Sequence, residues 1–145
     1  VTTSPRLDVT TKAPPAKSAL TLSDTVSGPW VQQGRIPCVV ITGQGPTALS
    51  ADVYGSVAGT DYNVTINIRN VTLPQPFAMV KDSGAGNWLE MSTSDGLTIW
   101  ESVGGTMTWN PTGKSATLDI RLGSGGTDAA PRKPVRFAGS FTCSE

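Results

Sequence analysis

The sequence predicts an all-β domain, a single antiparallel β-sandwich or partly open barrel of about nine to ten short strands. Three observations carry that prediction. Short segments alternate apolar and polar residues with a period of two, the mark of a half-buried strand. Turn residues separate those segments, with 16 glycines and 11 prolines in 145 residues. Nowhere does a helical period persist for three turns.

Residues 1–18 are rich in Thr, Ser, Pro and Lys and read as a flexible tether ahead of a domain at 19–145. The alternative for that stretch is an edge strand at residues 7–10 laid across the domain. Leu20 and Leu22 then alternate with Thr21 and Ser23, and Gly28-Pro29 breaks the chain before Trp30. Residues 36–42 form a short strand carrying the first cysteine, followed by a turn at Gly43, Gly45 and Pro46. Leu49, Ala51, Val53, Gly55 and Val57 share one face of the next strand. Residues 61–69 alternate more cleanly, with Tyr62, Val64, Ile66 and Ile68 on one side and Asn63, Thr65, Asn67 and Arg69 on the other. Pro74 and Pro76 end it, because proline donates nothing to a strand ladder. A strand restarts at residues 77–80, and 81–87 is a loop.

Residues 88–91 and 97–101 flank the five-residue segment 92–96, which ends in Asp-Gly and reads as a hairpin connection. Pairing Met91 with Leu97 sets Leu89 opposite Ile99 and Trp88 opposite Trp100. Trp88, Glu90, Thr98 and Trp100 then share a face that could stack a sugar ring or anchor a protein. The competing reading makes this the inner face, with Met107 and Trp109 in the same core. Gly104-Gly105 is expected to turn the chain into residues 106–110, and residues 111–114 turn it again. Ala116, Leu118, Ile120 and Leu122 line one side of the following strand. After a polar loop at 123–134, the last strand places Val135, Phe137, Gly139, Phe141 and Cys143 on one face.

Composition narrows the function classes. Eleven basic and 11 acidic residues give a formal net charge of zero with no basic stripe, which disfavours nucleic acid. No apolar run is long enough to span a membrane as a helix. Histidine is absent, which removes the commonest general base and the usual zinc and copper ligand, so no catalytic residue, metal or cofactor is expected. Asp52, Asp61, Glu90 and Asp119 occupy polar strand positions, and Asp82, Asp95 and Asp128 sit in Gly/Ser loops where turn formation accounts for them. Asn63 and Asn70 each begin an N-glycan acceptor pattern. The two cysteines, Cys38 and Cys143, end apolar strand segments 105 positions apart. They suggest one disulfide joining the first core strand to the last, the alternative being two buried thiols. A bridge would stabilise by about 4.7 kcal/mol in the chain-entropy model and would imply an oxidising compartment. No leader is evident before Val1, so the chain reads as mature or trimmed.

With those residues laid out, the chain resembles the mycobacterial and actinobacterial surface-lipoprotein antigens of the LpqH type. The tail at 1–18 resembles the tether that follows a lipidated cysteine, here upstream of Val1. The first cysteine lies early, within Ile36-Pro37-Cys38-Val39-Val40, and the chain ends in strand, polar loop, strand and Cys-Ser. The resemblance covers the two ends, whereas the Trp-rich section 88–109 departs from the family. It implies a non-enzymatic, extracytoplasmic, surface-exposed antigen whose contact with membrane is through a lipid anchor. The expected function is therefore binding or display at the cell surface, with a glycan or protein as partner. Two alternatives are a secreted carbohydrate- or protein-binding module using the Trp88/Trp100 face, and a structural subunit of a surface filament or virion.

Overall fold

A computed structural model describes residues 17–43, 45–81, 86–126 and 130–144. The described chain contains eleven strands and no helix: β1 (Lys17–Asp24), β2 (Gly28–Pro29), β3 (Val31–Gln32), β4 (Cys38–Ile41), β5 (Ala48–Val57), β6 (Thr60–Ile68), β7 (Phe77–Val80), β8 (Trp88–Thr93), β9 (Ile99–Asn110), β10 (Ser115–Gly123) and β11 (Val135–Thr142). Most of the tether at 1–18, with the alternative strand at 7–10, lies outside the described residues. Its last two positions begin β1, which starts at Lys17 rather than Ala19.

All eleven strands belong to one antiparallel sheet ordered β2-β1-β11-β10-β9-β8-β6-β5-β3, with β4 also on β5 and β7 also on β9. Of the two expected architectures, this is the barrel. Closure comes from residues 28–32, which the turn signal at Gly28-Pro29 conceals. Pro29 pairs with Thr21 of β1, and two residues later Val31 pairs with Ser56 of β5. The Trp30 amide still donates to Leu20 O (2.9 Å), and the Gln33 amide already donates to Tyr54 O (2.8 Å). One short strand thus hands its hydrogen bonds from one end of the sheet to the other across Trp30.

The alternating strands form the core as their sequence requires. Leu49, Ala51, Val53 and Val57 of β5 face inward with Tyr62, Val64, Ile66 and Ile68 of β6. Ala58 and Gly59 make the two-residue turn between them with φ of 52° and 84°, the primed-turn geometry that suits strand twist. Leu118, Ile120 and Leu122 of β10 and Val135, Phe137 and Phe141 of β11 complete the wall. Burying such side chains is worth roughly 1.5–3 kcal/mol each. Trp30 stands among them, edge-on to Phe137 at 5.5 Å between ring centroids and tilted against Tyr62 at 6.4 Å.

Gly104-Gly105 does not turn the chain. β9 runs through both residues, and its register against β10 shifts so that Arg121 opposes Gly104 while Leu122 opposes Ser102. Gly105 has φ 99°, and a side chain there would collide with the Asp119 carbonyl and the Ile120 backbone. The glycine pair marks a bulge and a close backbone approach.

The disulfide is Cys38–Cys143, with Cα atoms 5.7 Å apart. It joins an early strand to the residue after the last one. The partner is β4, fourth in the chain, whereas the first strand pairs directly with β11 over eight residues. Removing the bridge is expected to lower unfolding free energy by about 2–5 kcal/mol, compared between wild type and Cys38→Ser/Cys143→Ser in urea. A cost near zero would mean the adjoining hydrogen bonds alone hold this end. Gly55→Ala is expected to cost about 1–3 kcal/mol, because its methyl would strike the Trp30 indole. An unchanged urea midpoint would show that the indole can move without loosening the closing strand.

Candidate functional site

The four residues expected on one binding face are separated by the observed hairpin register. Glu90 pairs with Glu101, Met91 with Trp100 and Ser92 with Ile99, three positions from the expected pairing. An odd shift sends one strand's side chains to the opposite face. Trp100 therefore points into the core with 4% exposure, while Trp88 and Glu90 stay outside. Leu97 and Ile99, expected inside, are 85% and 46% exposed.

The loop and the indole explain the shift together. β8 continues to Thr93, whose amide donates to Thr98 O (3.0 Å), leaving residues 94–97 as the connection. Asp95 accepts from the Thr93 hydroxyl (2.6 Å) and the Leu97 amide (2.9 Å), and Gly96 takes φ 76°. Those hydrogen bonds, the Thr93 one largest, hold the Asp95 carboxyl below the usual range. Thr98 is occupied inside the loop, its amide donating to Thr93 Oγ1 (3.2 Å). On the inner side, Trp100 lies edge-on to Tyr62 at 6.0 Å and donates Nε1–H to Lys133 O (3.0 Å). An indole buries about 150–250 Å², more than the exposed Leu97 and Ile99 would separately return.

On the outer face Lys81 organises the remaining pair. Its ammonium lies 2.9 Å from both Glu90 and Glu101, which are direct cross-strand neighbours, and 5.2 Å from the Trp88 ring centroid. Hydrogen bonds to Glu101 first and Glu90 second hold the ammonium above its ordinary value. The cluster neutralises like charges set opposite each other. Elsewhere Asp119 takes a two-point hydrogen bond from Arg136 (2.8 and 2.7 Å), Asp52 accepts from Thr65 (3.1 Å) and Asp61 from Gln33 (3.0 Å). Asp82 and Asp128 lie outside the described residues. The described carboxylates that stand side by side, Glu90 and Glu101, are both taken up in ion pairs with Lys81.

A largely apolar concavity lies at the disulfide end of the barrel. There β5 carries β4 over Ala48–Ala51, with Cys38 opposite Ala51 and Ile41 opposite Ala48. The outer edge of β4 meets the rest of the molecule only through its N-terminal flank, among the described residues. The Ser144 amide donates to Ile36 O and the Ile36 amide to Ser144 Oγ, both at 2.8 Å, beside the disulfide. Past that seam a cavity of about 460 Å³ opens between β4 and the β9–β10 turn, lined mainly by Cys38, Val40, Val71, Trp109, Pro111 and Cys143, with Lys114 as its charged member. Trp109 is held by Gln75, whose amide group accepts from its N–H (2.6 Å) and donates to its carbonyl (2.9 Å), standing in for a strand partner. Val40 is 47% exposed at the opening, and Val39 and Ile41, on the other face of β4, are 53% and 56% exposed. Residues 36–42, expected as a core strand, instead leave Val39, Val40 and Ile41 exposed, and the sequence signal for this is the uninterrupted Val-Val-Ile run beside Gly-Gln-Gly-Pro.

Comparison of the chain with protein-family models, with curated proteins and with solved structures gives no match.

Trp88→Phe is expected to remove most acrylamide-quenchable tryptophan emission at little cost in stability. Trp100→Phe should instead cost about 1–3 kcal/mol in urea unfolding. Comparable quenching losses from both variants would contradict the register. Lys81→Met is expected to cost about 0.5–1 kcal/mol at neutral pH. A raised folded pKa means that contribution is whole below the ordinary value of 10.5 and fades as pH rises through the folded value. Unfolding curves for wild type and variant should therefore converge in alkali; a gap that stays constant would show that charge is not its cause.

Proposed function

We propose that this chain is a non-enzymatic, extracytoplasmic surface domain that binds through the apolar mouth at its disulfide end. The mouth carries the reading: its volume of about 460 Å³ falls in the range of small-molecule sites, and its walls supply packing surface with few groups able to move protons. No described carboxylate lines this concavity; Asp95 is engaged in a turn, and Glu90, Glu101 and Asp119 in ion pairs. The disulfide supports an oxidising location. The surface-lipoprotein resemblance adds a tether at 1–18 and a lipid anchor upstream of Val1, which would hold the barrel near the envelope. The Trp88/Trp100 sugar platform has no part in this reading, because the two rings lie on opposite faces of the sheet.

The test is the location and thiol state of the native chain in its source cell. The expected result is cleavage by protease added to intact cells, partition into detergent, and no reaction with a thiol reagent until the protein is reduced. A protease-resistant chain with two reactive thiols would overturn the proposal.

A further inference from the structure

We propose that the mouth between β4 and the β9–β10 turn receives a single acyl chain. This deepens the reading of that site as the binding surface. Three observations select an acyl chain over other occupants. The lining is mainly Val40, Val71, Trp109, Pro111 and the Cys38–Cys143 bridge, with Thr47, Lys114 and Ser144 as its polar members. Such a cavity holds water poorly, since each water needs two to four polar partners, and it offers a sugar few hydrogen bonds. The opening is also apolar on the β4 side, where Val40, which shares its strand face with Cys38, is 47% exposed. Across from it, Val71 is tied in place by its amide, which donates to Thr47 O (2.8 Å).

The third observation disfavours an extended peptide. A strand partner needs a row of open N–H and C=O groups. The Asp52 amide donates to Pro37 O (3.1 Å), which fixes the alternation along β4 and turns the peptide groups of Cys38 and Val40 away from β5. The Cys38 side of that edge is met by Ser144 through the Pro37–Ser144 bridge, which leaves the edge at Val40. A polypeptide laid there would bury most of its own backbone groups against hydrocarbon without partners, at a cost of roughly 1–3 kcal/mol for each. A methylene chain has no such groups and gains about 0.8 kcal/mol per buried CH₂. The chain entering the barrel at Lys17 lies beside Thr142, one residue from Cys143, so a membrane-tethered barrel would present this same end to the bilayer.

The acyl chain could come from a free fatty acid or from a membrane lipid, and the experiment separates them. The whole chain, disulfide intact, is titrated with sodium dodecanoate below its micelle concentration while methyl and amide NMR signals are followed. In parallel it is floated with phosphatidylcholine vesicles. Saturable shifts centred on Val40, Val71, Trp109 and Cys143 are expected. Val40→Lys, at a half-exposed position that tolerates charge, should weaken binding by about tenfold or more. Val31→Lys, at a position 58% exposed at the opposite end of the barrel, should leave it unchanged. Dodecanoate binding alone assigns a free fatty acid; flotation lost on Val40→Lys assigns a lipid in the bilayer. Either result supports the site. Scattered or non-saturating shifts with no flotation would overturn it, as would mouth signals that move only with protein concentration, which would place a second copy there. Such a failure would leave the surface location standing, since that is decided by compartment and thiol state.

Discussion

The barrel depends on a single residue at which one strand changes partners. Five residues, 28–32, hydrogen-bond first to β1 and then to β5, and Trp30 is the position between. Without that crossing the sheet would present β1 and the C-terminal half of β5 as open edges, and open edges invite pairing with other chains. A crossing strand must bend, and the bend needs something large to lean on. The Trp30 indole supplies it by packing against Phe137 and Tyr62, which belong to opposite sides of the barrel. Gly55 is the complementary feature. It sits in β5 where the indole lies against the backbone, and no other residue type leaves that space.

Two further close approaches extend the same logic. A side chain at Gly139 in β11 would meet the Ala19 carbonyl of β1, and one at Gly105 in β9 would meet the Asp119 carbonyl of β10. Both glycines have positive φ, 130° and 99°, and both sit at positions where neighbouring strands must coil rather than lie flat. Small barrels need such local sharpening, because a uniformly pleated sheet does not close. The glycine content that suggested many turns thus serves curvature as well.

Strands whose neighbours cover one face fully were legible from alternation alone. β5, β6, β10 and β11 bury the residues their period names, because a one-residue slip would expose the whole set. The cysteine pair was legible for a similar reason, since both ends of the connection are apolar and nothing else competes for them. The β8–β9 register was not. The alternatives were an inner face of Leu89, Met91, Leu97 and Ile99 or one of Trp88, Glu90, Thr98 and Trp100, and the structure takes Leu89 and Met91 from the first and Trp100 from the second. The choice falls to Asp95 in the loop, Tyr62 on a distant strand and the Lys133 carbonyl beyond the next loop. Two of those three partners are remote in sequence, so alternation within the hairpin carries no record of them. The same holds for β4, whose Val-Val-Ile run looks like core until the missing neighbour on its outer edge is seen.

The two ends of the molecule solve closure by different means, and the difference bears on the mouth. At the Trp30 end, closure is continuous backbone pairing reinforced by packed rings, so loosening the packing there would loosen the seam. At the other end β4 is four residues long and, among the described residues, is joined to the segment after β11 by the Ile36–Ser144 hydrogen bonds and a covalent bond. A covalent seam holds its walls at fixed separation whether or not the space between them is filled. Ordinary cores cannot leave about 460 Å³ of apolar-walled space uncovered without losing stability in proportion to the void. Here the bridge separates stability from packing, which is the condition under which a chain can keep a cavity lined by Val40, Val71 and Trp109 open and remain folded.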